Sequence, residues 1–155
     1  MGAFLSLLRH LPFIDGAFRS TGTARMTVDD PATGKQIAEV VRVTESDIEA
    51  AIASAHAAFR PLAKQTARER AKVLAKLAAL FVTHREDLAR ILTAEQGKPL
   101  TEARGEIDYA ASFYAYYAEE APRVNGELIP ALRTDQRVMV VPVRVGVGAV
   151  SYTHL

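Results

Sequence analysis

The fold is decided by residues 92–120, which read LTAEQGKPLTEARGEIDYAASFYAYYAEE. This pattern predicts that one helix ends at Gln96, that Gly97 turns the corner and that a second helix follows. Glycine takes the positive φ needed just past a helix terminus without a Cβ clash. Pro99 suits the first turn of the second helix, where its missing N–H would have no partner. Two helices joined at a sharp corner are therefore predicted.

The second of these helices is apolar over most of its circumference. Apolar residues recur at helical spacing, and further aromatic residues flank them. The recurring positions are Leu100, Ala103, Ile107, Ala110, Ala111, Tyr114 and Ala118, and the flanking aromatics are Tyr109, Phe113, Tyr116 and Tyr117. Such a helix is expected to be buried on more than one side.

Two short hairpins are predicted before the helices. Asp15-Gly16 stands between two apolar pairs, which is a strong signal for a two-residue turn. The segments 26–29 and 36–41 flank a second turn, in which Pro31 fixes φ and Gly34 closes the loop.

Two capped helices are predicted next. Thr44, followed by Glu45 and Asp47, starts the first, which is expected to end at Pro61. Thr66 and Glu69 form the capping box of the second. The predicted apolar faces are Ile48, Ile52, Ala55 and Phe59 in the first helix and Val73, Leu74, Leu77, Leu80 and Phe81 in the second. The interruption at residues 83–85 indicates either a kink or a new helix start.

The last part of the sequence has the character of extended chain. Pro122 ends the helical pattern, and residues 128–130 and 137–145 are predicted to be extended. Pro142 cannot donate to a strand ladder, so it is expected at an edge or a bulge. Gly146 and Gly148 invite comparison with a dinucleotide-binding loop, but no third glycine and no helix pattern follow them.

Composition excludes several classes of function. The chain of 155 residues has a net charge of +1, which gives no electrostatic footprint for nucleic acid. It contains no cysteine, so neither a disulfide nor a thiolate site is available. His56 and His84 are isolated histidines without a second metal ligand at helical spacing. Residues 1–11 are interpreted as a lead segment and not a signal peptide, and no apolar run is long enough for a bilayer, so a cytoplasmic location is expected.

The corner and the second helix also carry a resemblance to a known family. The residues concerned are Glu95, Gln96, Gly97, Lys98, Pro99, Glu102, Ala103, Gly105, Glu106 and the segment from Tyr109 to Phe113, together with the Pro-Ala-Thr-Gly turn at 31–34. The sequence resembles the amino-terminal part of the aldehyde dehydrogenase superfamily, and within it the NAD(P)+-dependent succinate-semialdehyde dehydrogenase branch.

This resemblance implies an α/β fold class, with the amino-terminal hairpins and helices of an aldehyde dehydrogenase, an incomplete nucleotide-binding domain and an extended β-arm. The implied boundaries are 1–11 for the lead segment, 12–43 for the hairpins, 44–121 for the helical layer, 122–145 for the arm, 146–150 for the start of the first nucleotide-binding strand and 151–155 for a tail that departs from the family pattern. The arm, with Glu127 and Val145 at its ends, is implied to join like subunits; an edge hairpin folded on its own chain is the alternative.

The chemistry implied by the resemblance is that of a thiol catalyst. In the family a cysteine attacks the aldehyde, an asparagine stabilises the oxyanion, a glutamate activates water, and NAD or NADP accepts a hydride. None of these residues is present at a matching position, so no catalytic, cofactor-binding or metal residue is assigned. We expect the chain alone to be inactive, to bind no cofactor and to meet its aldehyde substrate only within a complete enzyme.

Two other functions stay open at this point. The chain could be a non-catalytic module that acts by subunit association through the arm. It could also bind nucleic acid through Arg68, Arg70, Lys72 and Lys76, although Glu69 interrupts that run and a solvated helix face explains it better. The large apolar helix further predicts a marginally stable chain that associates when expressed by itself.

Overall fold

A computed structural model describes residues 7–150 as three two-stranded hairpins and four helices. The elements are β1 (Phe13–Ile14), β2 (Ala17–Phe18), β3 (Arg25–Asp29), β4 (Gln36–Val41), α1 (Glu45–Lys64), α2 (Ala67–Thr83), α3 (Arg85–Gln96), α4 (Leu100–Glu120), a 3-10 turn (Ala121–Arg123), β5 (Glu127–Ile129) and β6 (Val138–Val140). The predictions for residues 1–6 and 151–155 lie outside the described residues.

Both predicted amino-terminal hairpins are confirmed. Asp15 and Gly16 have φ values of 53° and 75°, which are the left-handed conformations that a tight hairpin turn requires. In the β3–β4 hairpin the N–H of Asp30 donates to the carbonyl of Lys35 at 2.9 Å, and Gly34 has a φ of 66°. Local turn chemistry therefore fixes these two hairpins.

Helix α1 begins as predicted but ends later. Thr44 and Asp47 form a capping box at its amino terminus. The prediction that Pro61 ends this helix is wrong, because α1 continues to Lys64. Proline sits in the last turn, where it removes a single helical hydrogen bond and its own φ suits a helix. The N–H of Gln65 then closes the helix by donating to Leu62.

The remaining helices follow one another with short connections. Thr66 and Glu69 form the predicted capping box of α2, and His84 separates α2 from α3, so the interruption at 83–85 is a new helix start. Gly97 is left-handed (φ 76°) and its N–H donates to Thr93 at 2.8 Å, as the corner prediction requires. Pro99 is the residue before α4 and not part of its first turn. There its carbonyl accepts from Ala103 at 3.0 Å.

Helix α4 is the centre of the packing. It lies against both α2 and α3, with Ala103, Ala111 and Ala118 buried at the contacts and Ala89 buried on α3. Phe81 of α2 stacks on Tyr114 with 5.3 Å between ring centroids. Small side chains thus allow the close approach of helices, and the stacked ring pair fills the space beside them.

The predicted apolar faces are buried less than expected. Ile48 and Ile52 of α1 and Val73 and Leu80 of α2 are exposed, whereas Leu74, Leu77 and Phe81 are half-buried. The apolar periodicity is helical as predicted, but these four side chains remain 43–61% exposed. Sequence periodicity indicates which face is apolar, and a neighbouring element is still needed to bury it.

The β-arm is shorter than predicted. β5 and β6 pair antiparallel, with Leu128 opposite Met139. Of the predicted extended segment 137–145, only Val138–Val140 is in the ladder, and Pro142 lies outside it. Residues 141–150 form neither helix nor strand, so the strand predicted at 147–150 is not formed. A strand needs a neighbour for its N–H and carbonyl groups, and no described strand lies beside these residues.

Candidate assembly surfaces

That the chain carries no catalytic or cofactor-binding residue stays a prediction. The chain has no cysteine, and residues 7–150 contain no group of three or more histidine, aspartate or glutamate side chains that could hold a metal ion. His84 caps two helices, and His56 is exposed on α1. Gly146 and Gly148 lie in residues 141–150, which form neither helix nor strand, whereas a dinucleotide phosphate-binding turn joins a strand to a helix. That this chain alone binds neither NAD nor NADP stays a prediction.

An exposed apolar surface lies on α4 and is named here the aromatic face: Tyr109, Phe113, Tyr116 and Tyr117. These side chains are between 46% and 65% exposed. The rings of Tyr109 and Phe113 meet edge to face at 4.7 Å between centroids, and those of Tyr116 and Tyr117 at 5.3 Å. Together with Ser112 they line an open groove of about 440 Å³. Exposed aromatic clusters of this kind are typical of surfaces that pack against another element or chain.

Two arginine–carboxylate pairs fix α4 against α3. Arg85 donates to Asp108 from Nε and Nη2, both at 2.6 Å. Arg104 donates to Glu86 at 2.8 and 2.9 Å, and Arg90 donates to the same carboxylate at 2.9 Å. Both two-point pairs constrain orientation as well as distance, so they hold the aromatic face in a defined direction.

These pairs also explain the acidity of the two carboxylates. The hydrogen bonds from Arg104 lower the pKa of Glu86 to about 2, and Arg90 contributes in the same direction. The hydrogen bonds from Arg85 likewise lower the pKa of Asp108. Both groups are therefore charged at neutral pH, as pairing with arginine requires.

The helix corner is also a contact point for the second hairpin. A Cβ atom added to Gly97 would lie 2.9 Å from Cγ of Pro31, at the tip of the β3–β4 turn. Lys98, next to the corner, forms an ion pair with Glu106 in the second turn of α4. Asp30, Arg90 and Thr93 border a groove of about 340 Å³ beside this contact. The corner thus needs glycine both for its φ value and for the approach of the hairpin.

The β-arm supplies a second apolar surface. Leu128, Leu132, Met139 and Val143 are all exposed, and β5 and β6 pack chiefly on each other. The accessible surface of the whole chain is 12156 Å². A folded monomer of 16.9 kDa has about 7,700 Å² by the usual scaling with mass. The excess of about 4,500 Å² is larger than the roughly 1,000–2,500 Å² that one partner contributes to an obligate interface.

Known proteins are similar in sequence to this chain. Residues 18–152 match the aldehyde dehydrogenase family. The chain belongs to that family. The curated relatives of this aldehyde dehydrogenase sequence include the 3-sulfolactaldehyde dehydrogenase of Pseudomonas putida, which is 44% identical over 93% of this chain and 30% of its own length. The mitochondrial succinate-semialdehyde dehydrogenase of Arabidopsis thaliana is 44% identical over 94% of this chain and 28% of its own length.

Solved structures agree with the sequence comparison. An NADP-dependent enzyme of E. coli superposes with a TM-score of 0.85 and 39% identity, covering 88% of this chain and 28% of that one. The succinate-semialdehyde dehydrogenase of Burkholderia pseudomallei gives 0.83 and 42%, covering 86% and 28%. The predicted aldehyde dehydrogenase resemblance and α/β fold class are confirmed, and this chain spans about 30% of the length of the relatives it matches.

The sequence pattern indicated some of these features and missed others. It identified the aromatic helix and the corner glycine, because both follow from local spacing or turn chemistry, whereas the arm was implied only by the family resemblance. It missed the pairing of Arg85 with Asp108 and of Arg104 with Glu86, which lie 23 and 18 residues apart. The sequence shows that these four residues are charged, but it does not indicate which of them pair.

Proposed function

We propose that this chain is the amino-terminal part of an NAD(P)+-dependent aldehyde dehydrogenase that oxidises succinate semialdehyde to succinate. The observation that carries this proposal is the 44% identity to the succinate-semialdehyde dehydrogenase of Arabidopsis over 94% of the chain. The relative from Pseudomonas putida acts on 3-sulfolactaldehyde, and another from Pseudomonas aeruginosa on glutarate semialdehyde. The substrates in these names share a short chain with an anionic group away from the aldehyde, and we extend this substrate class to the complete enzyme.

The proposed reaction converts the aldehyde and water to a carboxylate and two protons while a hydride passes to NAD(P)+. The nicotinamide cofactor supplies the hydride acceptor. We propose that the groups that attack the aldehyde and activate water lie outside this chain, so that this chain alone is inactive. The proposal does not choose between NAD and NADP.

The proposed contribution of this chain is structural. The aromatic face and the exposed residues of α1 and α2 are proposed to pack on the remainder of the enzyme, which is more than twice as long as this chain in the relatives. Residues 127–145 are proposed to join like subunits, giving a homo-oligomer.

A cytoplasmic location remains a prediction. None of the helices formed by residues 7–150 combines the length and apolar composition that crossing a bilayer requires.

The substrate proposal is tested on the protein that the gene encodes when its reading frame is followed beyond codon 155. Its NAD(P)H formation is followed by absorbance with succinate semialdehyde and with butanal, which has the same carbon number but no carboxylate. We expect kcat/KM to favour succinate semialdehyde by about 100-fold or more, because a site built for a charged group is left with unpaired polar groups by the neutral analogue. Equal values for the two aldehydes would remove the substrate proposal and leave the family membership intact.

The exposed arm favours one alternative, a non-catalytic module that acts by subunit association. The arm hairpin has apolar side chains outside and contacts the helices little. This alternative requires a chain of these 155 residues that forms a stable oligomer of fixed size. Light scattering on the purified chain distinguishes the two, since the fragment proposal expects association of no fixed size.

A further inference from the structure

The contacts divide residues 7–123 into two groups. In the first, named the helical unit and comprising residues 66–123, α4 packs against α2 and α3, and the 3-10 turn returns against α2 and α4. In the second, named the front unit and comprising residues 7–65, the main neighbour of α1 is β1. The two units share few contacts, although α1 and α2 follow each other directly in the chain.

The helical unit has its own set of stabilising interactions. Arg85 and Asp108 join α3 to α4, and Arg104 joins α4 to Glu86. The stacked rings of Phe81 and Tyr114 join α2 to α4. Every one of these contacts is made between residues of the unit, so the loss of α1 would remove none of them.

The front unit is held by a different residue, Asp47. Its buried carboxylate accepts hydrogen bonds from Ser20 Oγ at 2.6 Å, from the N–H of Thr21 at 2.8 Å and from the N–H of Thr44 at 3.0 Å. This network ties the loop after β2 to the start of α1. The segment before β1 is tied to β4, where the N–H of Val41 donates to the carbonyl of His10 at 3.0 Å.

Two features of the described residues mark where the units meet. One is the short connection at Gln65 between α1 and α2, which has extended backbone. The other is the contact of Pro31 with the corner at Gly97. Neither feature buries a large side chain completely. In the described residues no large side chain is fully buried.

We infer that the helical unit and the front unit open independently, and that the helical unit is the more stable of the two. Cooperative units of a protein are the parts whose contacts are internal, and local opening of one such unit leaves the others closed. The inference concerns residues 7–123 alone and does not depend on the proposed enzymatic function.

Hydrogen exchange of the intact chain, read by mass spectrometry, tests this inference. We expect amides in the middle of α4 to exchange about 100-fold more slowly than those in the middle of α1. Asp47→Asn should accelerate exchange in α1 and leave α4 unchanged, because an amide cannot accept all three hydrogen bonds. Asp108→Asn should accelerate exchange in α3 and α4 and leave α1 unchanged.

The matched control is Asp135→Asn, which breaks a similar two-point pair with Arg133 in the arm. It should leave exchange in both units unchanged. The inference is overturned if Asp47→Asn and Asp108→Asn each accelerate exchange in α1 and α4 by the same factor. It is also overturned if protection of α4 disappears on tenfold dilution, because the protection would then come from association between chains.

Discussion

At the scale of single residues, the glycine at the α3–α4 corner and a glycine inside α4 should respond in opposite ways to replacement by alanine. Gly97 has a φ of 76° and lies against Pro31, whereas Gly105 is in the interior of α4 with open space where a Cβ would be. Gly97→Ala should lower the free energy of unfolding by about 1–2 kcal/mol, because the left-handed conformation is costly for alanine. Gly105→Ala should raise it by about 0.5–1 kcal/mol through higher helix propensity.

Urea unfolding of the two alanine variants, followed by circular dichroism, measures both effects. They introduce the same methyl group eight residues apart, so a general effect of added apolar surface cancels in the comparison. If Gly97→Ala is as stable as the original chain, residue 97 does not adopt the left-handed conformation in solution.

A second residue-scale prediction concerns acid. The hydrogen bonds from Arg104 and Arg90 lower the pKa of Glu86 from 4.5 to about 2. Because the folded pKa lies below the unfolded one, the stabilisation is complete above about pH 4.5 and is lost as the pH falls towards 2. Asp47 and Asp108 act in the same direction, since hydrogen bonds lower the pKa of both.

The free energy of unfolding should therefore decline steadily as the pH is lowered through this window, as urea unfolding at a series of pH values measures. Glu86→Gln should make the decline shallower. Glu49→Gln, an exposed carboxylate on α1, is the matched control and should leave it unchanged. Identical curves for Glu86→Gln and the original chain would mean that the Arg104–Glu86 pair is not formed in solution.

At the scale of elements, the predictable features are the local ones. The hairpin at Asp15-Gly16, the capping boxes at Thr44 and Thr66 and the corner at Gly97 each depend on a few consecutive residues, and the structure confirms them. The prediction that Pro61 ends α1 is wrong, because a proline in the last turn destabilises a helix much less than one in the middle.

Burial and long-range pairing could not be predicted in the same way. Ile48 and Ile52 have helical spacing, but whether they are buried depends on what packs over α1. The strand at 147–150 depends on a neighbouring strand that residues 7–150 do not provide. For the candidate surfaces, sequence spacing located the aromatic face, whereas the ion pairs that orient it could be seen only in three dimensions.

At the scale of the whole molecule, the exposed surface predicts association. Each uncovered aromatic side chain forfeits about 2 kcal/mol of burial, so contact between chains through the aromatic face is favourable. The double variant Phe113→Gln, Tyr117→Gln should weaken self-association by about tenfold or more in sedimentation experiments. The control Leu132→Gln changes an exposed residue of the arm and reports whether that surface contributes instead.

A sharp, cooperative melt of a monomer, unchanged over a tenfold range of concentration, would contradict this prediction. It would show that residues 7–150 bury enough apolar surface by themselves. The accessible surface of 12156 Å², against about 7,700 Å² for a folded monomer of this mass, argues for the opposite result.

The central claim is that these residues form one layer of a larger aldehyde dehydrogenase whose catalytic groups lie elsewhere in the protein. Its most direct test is to sequence the source DNA from codon 150 for at least another 450 bases, about one chain length. We predict that the reading frame continues, and that it reaches an asparagine-bearing loop and later a cysteine. A stop codon directly after Leu155 would contradict the claim and leave subunit association as the function to pursue.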